Sequence, residues 1–142
     1  MRLPLRATLI AGLLLTGCAS PPPPPPQAPV MEKVTGTVTY RERLALPPTA
    51  VVRVQLADVS RMDAMADVVD EQVIRTNGRQ VPIAFELSYD PAKIVAAHSY
   101  AVLARIEVDG QLRFISDRRY SVITQGAPNH AELVLRAVGS RP

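Results

Sequence analysis

Val81-Pro82-Ile83-Ala84-Phe85-Glu86-Leu87-Ser88-Tyr89 carries an apolar side chain at every second position, with Pro, Ala, Glu and Ser between. A period of two marks a strand with one face on a core and the other in water, because successive side chains of an extended chain point to opposite faces. The same period recurs upstream. Val34, Gly36, Val38 and Tyr40 alternate with Thr35, Thr37 and Thr39, and Val52, Val54 and Leu56 alternate with Arg53, Gln55 and Ala57. Downstream, Tyr100, Val102, Ala104, Ile106 and Val108 form a stripe opposite Arg105 and Glu107, and shorter runs cover 112–115, 120–124 and 132–137. A further strand is expected near Val68–Thr76, after Ser60–Ala66, which reads as a loop in preference to one helical turn begun by Ser60.

The punctuation agrees with strands. Asn77-Gly78 and Asp109-Gly110 tolerate positive φ at both central positions of a type I′ turn, so each is expected to mark a tight hairpin. Pro47-Pro48, Asp90-Pro91 and Gly126-Ala127-Pro128-Asn129 supply loop chemistry between other runs. The expected fold is all-β, a single small β-sandwich of seven or eight mostly antiparallel strands over residues 32–138, with 139–142 as a tail.

The segment before that domain has a different character. Met1-Arg2-Leu3-Pro4-Leu5-Arg6 is a short cationic start, and Ala7 through Leu15 is an apolar run. The run is far shorter than the ~20 residues a membrane-spanning helix needs, which makes 1–17 a signal peptide. It ends Leu15-Thr16-Gly17-Cys18, an apolar residue and two small ones before a cysteine, which resembles the bacterial lipobox. That resemblance implies acylation of the Cys18 thiol, cleavage before Cys18 and acylation of the new amino group. Several acyl chains hold a protein on a membrane far more lastingly than one. Ala19, rather than Asp, follows the cysteine, which in Gram-negative lipoproteins implies delivery to the outer membrane. Residues 18–31 then form a spacer. Pro21 through Pro26 is an unbroken proline run with no amide donors and a fixed φ. It reads as a polyproline II rod of roughly 19 Å. Such runs also serve as ligands for SH3-like or WW-like domains, but the position between lipid and domain favours the spacer.

Composition excludes several function classes. The sixteen basic residues include Arg2 and Arg6 of the leader, so fourteen face the thirteen acids in the remainder, a net charge near +1. Nucleic-acid binding needs a clustered basic surface on a strongly basic domain. One cysteine allows no internal disulfide and no thiolate-rich metal centre. His98 and His130 have no ligand-spaced partners, and no Gly-x-Ser-x-Gly elbow is present. Asp63, Asp67, Asp70 and Glu71 lack EF-hand spacing and read as a solvated acidic edge. The chain has no Trp, which weakens a sugar-stacking platform. Arg118 and Arg119, with Arg41 and Arg43, could touch anionic headgroups, although scattered solvated charges are the preferred reading. No metal, cofactor or catalytic residue is expected, and the chain is not read as an enzyme.

The stretches Val34–Arg43, Ala45–Pro48, Val54–Ser60, Val81–Leu87 and Tyr100–Ile106 together resemble the YbaY/YscW family of lipoproteins, over nearly the whole folded domain. The resemblance implies an outer-membrane lipoprotein with a β-sandwich. One branch of that family serves as type III secretion pilotins, which escort a secretin subunit to the outer membrane. The expectation is therefore a non-catalytic binding or assembly module, lipid-anchored through Cys18 at the periplasmic face of the outer membrane, with an envelope protein as partner. A type III pilotin is the alternative, and a glycan-related envelope enzyme is a weaker one. Leu103, Ile123 and Val134 lie out of phase with the main stripes. They are expected either to form an apolar partner-binding patch or to face a second sheet.

Overall fold

The computed structural model describes residues 21–139. The expected signal peptide, Cys18 with the two residues after it, and the last three residues lie outside them. Residues 21–31 carry no regular structure and every one is exposed. Eight strands follow: β1 (Glu32–Tyr40), β2 (Ala50–Asp58), β3 (Asp67–Arg75), β4 (Ile83–Tyr89), β5 (Tyr100–Val108), β6 (Gln111–Ser116), β7 (Tyr120–Val122) and β8 (His130–Ala137). A 3-10 turn at Pro91–Lys93 is capped by the Asp90 carboxylate, which accepts the Ala92 amide.

All eight strands belong to one sheet, ordered β3-β2-β5-β6-β8-β1-β4, with β7 paired to β5. The all-β expectation holds, and the two layers of the expected sandwich are opposite walls of one continuous, nearly closed barrel. Every pairing is antiparallel except β1 with β8. The stripes read from the sequence all turn inward. Val34, Val38, Val52, Val54, Leu56, Leu87, Val102 and Ile106 are wholly buried in one core, and Leu133 of β8 joins them. Each such aliphatic side chain contributes about 1.5–3 kcal/mol on burial. Tyr40 and Phe114 stack across this core with ring centroids 4.2 Å apart. Among the described residues the core runs from Val34 to Leu135, with Ala137 packed against it.

Gly36 is a point of close approach: a Cβ there would sit 1.8 Å from the Ala131 carbonyl oxygen of β8 and 2.8 Å from Phe85 Cζ. Asp109-Gly110 makes the expected two-residue hairpin between β5 and β6, with φ of +52° and +78°. Asn77-Gly78 is also a turn with both φ positive, and Arg79 N–H donates to Thr76 O at 2.9 Å. It is not a hairpin, however, because the strands it joins, β3 and β4, share no ladder. They are the two ends of the sheet. The turn residues fix only the local reversal, whereas pairing is decided by which edges the barrel brings together.

Candidate functional site

The gap between β3 and β4 is the place where the barrel fails to close by backbone pairing. Two side chains of β3 stand in for the missing strand. Glu86 N–H donates to Gln72 Oε1 at 2.8 Å, and Ser88 N–H donates to Asp70 Oδ2 at 2.7 Å. These stitches satisfy edge donors that would otherwise be free to template another strand. Beyond Asp70 the stitching ends. The β2–β3 register slips there, with Leu56 opposite Asp70 but Ala57 opposite Val68, so Val69 is an extra residue on β3. A bulge turns the strand out of phase. As a result Val68 (53% exposed) and Val69 both face solvent. The preceding loop adds Met62 and Met65, at 89% and 93% exposure.

A cavity of about 350 Å³ opens at this mouth, with Met31, Val68, Val69, Ile94, Tyr89 and Tyr100 as its apolar wall. Asp58, Asp67, Asp90 and Lys93 also line it, which makes the rim acidic. Asp63 and Asp67 have no ion-pair partner among the described residues. The mouth is at the end where the proline-rich segment leads into β1, since Met31 is part of its wall.

The loops behind the mouth are tied together. The Asp58 carboxylate accepts both the Ser60 amide (2.9 Å) and the Ser60 hydroxyl (2.6 Å), and His98 Nδ1 lies 2.6 Å from its other oxygen. Ser60 Oγ accepts the Ser99 amide at 2.8 Å, and the Thr124 hydroxyl donates to His98 O at 2.7 Å. Burial alone raises the Asp58 carboxyl, but the bonds from Ser60 and His98 outweigh it and hold the group below its usual range. This Ser, His and Asp do not form a nucleophilic triad. The serine proton goes to the carboxylate rather than to the imidazole, so no base activates the hydroxyl. Among the described residues no group of three His, Cys, Asp or Glu could hold a metal ion. The mouth presents an apolar surface of Val68, Val69, Ile94 and Met31, the last an unbranched side chain of the adaptable kind.

The three out-of-phase residues are not gathered in one place. Leu103 is half-buried in a shallow depression with Gln55 and Ile115. Val134 lines a separate cleft with Arg41 and Arg118. Ile123, at φ +71°, packs against the core from the turn after β7. Met62, Met65, Val68 and Val69 are exposed apolar residues that the alternating stripes do not pick out. Two methionines within a polar loop, followed by a Val-Val pair without alternation, were the available signal.

The described residues form a small all-β domain behind a proline run, with no catalytic constellation among them. A family model described as "Type III secretion system lipoprotein chaperone (YscW)" matches residues 29–135, and the chain belongs to that family. It is 40% identical over 111 residues to a protein of Escherichia coli K12 described as "Uncharacterized lipoprotein YbaY". That match covers 77% of this chain and 58% of the relative, so the chain spans little more than half the length of that relative. A solved structure of an alternative pilotin from the type II secretion system of Vibrio cholerae superposes with a TM-score of 0.75 at 53% identity. It covers 78% of this chain and all of the pilotin chain. Lipoprotein chaperones and pilotins are non-enzymatic families, and this chain is a non-catalytic member.

Proposed function

We propose that the chain is a pilotin-type assembly factor, exported by residues 1–17, lipidated on Cys18 and held at the periplasmic face of the outer membrane. Its domain captures a short amphipathic segment of a secretin-class envelope protein. The single observation that carries this reading is the bulged β3, which leaves Val68 and Val69 exposed on the wall of an open cavity, with Met62 and Met65 exposed in the loop that leads into the strand. Apolar surface grouped in this way on a small domain marks an interaction site. The acidic rim favours a segment with basic residues beside its apolar face, because opposite charge speeds encounter and fixes register. The 53% identity to a type II pilotin favours a type II secretin subunit as partner. The family description carries the type III alternative.

The test places a photo-crosslinking residue at Met65 or Val69 of the full chain in cells, with Leu103 and Val134 as comparison positions. A secretin subunit trapped from Met65 and Val69 supports the reading. Trapping only from Leu103 or Val134 moves capture to the outer face of the barrel, and no secretin from any position refutes the pilotin role.

A further inference from the structure

A second site lies across the barrel from the mouth. In the sheet path β3 and β4 are the ends, whereas β6 and β8 lie between them on the far side. There Arg41, Arg118 and Arg136 line one cleft of about 240 Å³.

The arginines are held in different ways. Arg118 Nε donates to the Tyr120 hydroxyl at 3.1 Å, and its guanidinium lies 5.0 Å from the Tyr120 ring centre. That hydroxyl is itself fixed on β8, accepting Val134 N–H at 2.8 Å and donating to Val134 O at 3.1 Å. The terminal nitrogens of Arg118 have no hydrogen-bond partner among the described residues. Arg136 is oriented by Asp117, with Nε 3.2 Å from Oδ2. Arg41 has no carboxylate partner among the described residues. Glu42, also in the lining, accepts the Ala137 amide at 3.2 Å. Three guanidinium groups against the two carboxylates leave one net positive charge, the complement of a phosphodiester.

We propose that this cleft binds a phosphate group, with Arg41 and Arg118 as the direct donors and Arg136 set by Asp117 to complete the cradle. Guanidinium forks match phosphate oxygens two at a time, and charge assistance strengthens each bond. The group comes either from an anionic lipid headgroup or from a soluble phosphate ester. Bound to a headgroup, the cleft would lay this side of the barrel on the bilayer and turn the mouth toward the periplasm. The site stands whether or not the mouth holds a secretin segment.

The full chain is reconstituted in phosphatidylcholine vesicles with and without about 30% phosphatidylglycerol, a level that gives a biological surface charge. Phenylglyoxal modification of each arginine is then followed by mass spectrometry. With the anionic lipid, Arg41 and Arg118 should react about threefold or more slowly, while Arg61 and Arg75 on the seam side are unchanged; the protection should weaken as salt screens the charges. Protection in pure phosphatidylcholine on adding millimolar glycerol phosphate would identify a soluble ester as the source. In the Arg41→Gln/Arg118→Gln variant, Arg136 should lose its protection. No protection in either arm, equal protection of Arg61 and Arg75, or protected Arg136 in the double variant would each overturn the site.

Discussion

Gly36→Ala adds a single methyl group at the tightest contact in the barrel. The new carbon would lie 1.8 Å from Ala131 O, 2.8 Å from the carbonyl carbon of Ala131 and 2.8 Å from Phe85 Cζ. An ordinary C···O approach is about 3.3 Å, so β1 and β8 must part locally by about 1.5 Å. A ladder bond near 2.9 Å does not survive that stretch. Gly36 is opposite Ala131 inside a ladder running from Thr35↔His130 to Tyr40↔Leu135, so about two bonds are lost at 0.5–1.5 kcal/mol each. Moving Phe85 against a filled core adds about 1 kcal/mol or more of overpacking. The sum is about 3 kcal/mol, or a fall in Tm of roughly 12–24 °C for a domain of this size. Urea unfolding followed by circular dichroism measures it, with Gly110→Ala as the comparison. Gly110 has φ +78° and no atom within 4 Å of an added Cβ, so its cost is backbone strain alone, about 1–2 kcal/mol. If Gly36→Ala costs less than Gly110→Ala, the close β1–β8 approach is wrong.

Thr76 is wholly buried and its hydroxyl has no hydrogen-bond partner among the described residues, so Thr76→Val should raise stability by about 1 kcal/mol in the same urea assay. Asp58 and Glu71 are both held below their usual carboxyl range. For Asp58, bonds from Ser60 and His98 outweigh burial, and for Glu71 the bonds come from Gln55 and then Arg53. The unfolded chain therefore takes up protons first as the pH falls. The stability these groups supply is present above the ordinary values of 3.8 and 4.5 and is lost as pH falls through the lower folded values. Asp58→Asn should flatten the acid limb of urea midpoints measured between about pH 5 and 3; an unchanged limb would show that Asp58 is not so held. Cys18→Ser should abolish incorporation of a palmitate analogue and leave an unprocessed precursor, and label persisting in the variant would refute lipidation at that residue.

The inward faces were legible because a strand writes its burial directly into alternate positions. Val34 to Tyr40, Val52 to Leu56 and Ile83 to Tyr89 are buried on the side that the sequence marks. Closure of the sheet was not legible, because it depends on edges far apart in the chain. The Asn77-Gly78 turn is written locally, but Gln72 and Asp70 reaching across to β4 amides are not. The mouth was hidden for a related reason. A bulge at Val69 breaks the period, so Asp67 to Asp70 reads as an acidic edge without a face. Ile123 at positive φ runs against the preference of a β-branched residue, and no local signal announces it. The arginine cleft was legible only in part: Arg41 and Arg118 stand among the arginines that could touch headgroups, but Arg136 in place of Arg43 and Arg119 follows from the parallel pairing of β1 with β8 and the turn before β7.

The central claim is capture of a secretin-class subunit at the bulged end of β3, and the most direct measurement is where that subunit goes in cells carrying the full chain with Met65→Asp and Val69→Asp. Both side chains are exposed, so the variant should fold and reach the envelope in normal amount. A charge on each apolar contact is costly to bury against a partner. Membrane fractionation should then find the secretin subunit lost from the outer membrane, as in a strain lacking the chain altogether. Normal outer-membrane secretin in the variant strain, with the chain itself present and folded, would contradict the account.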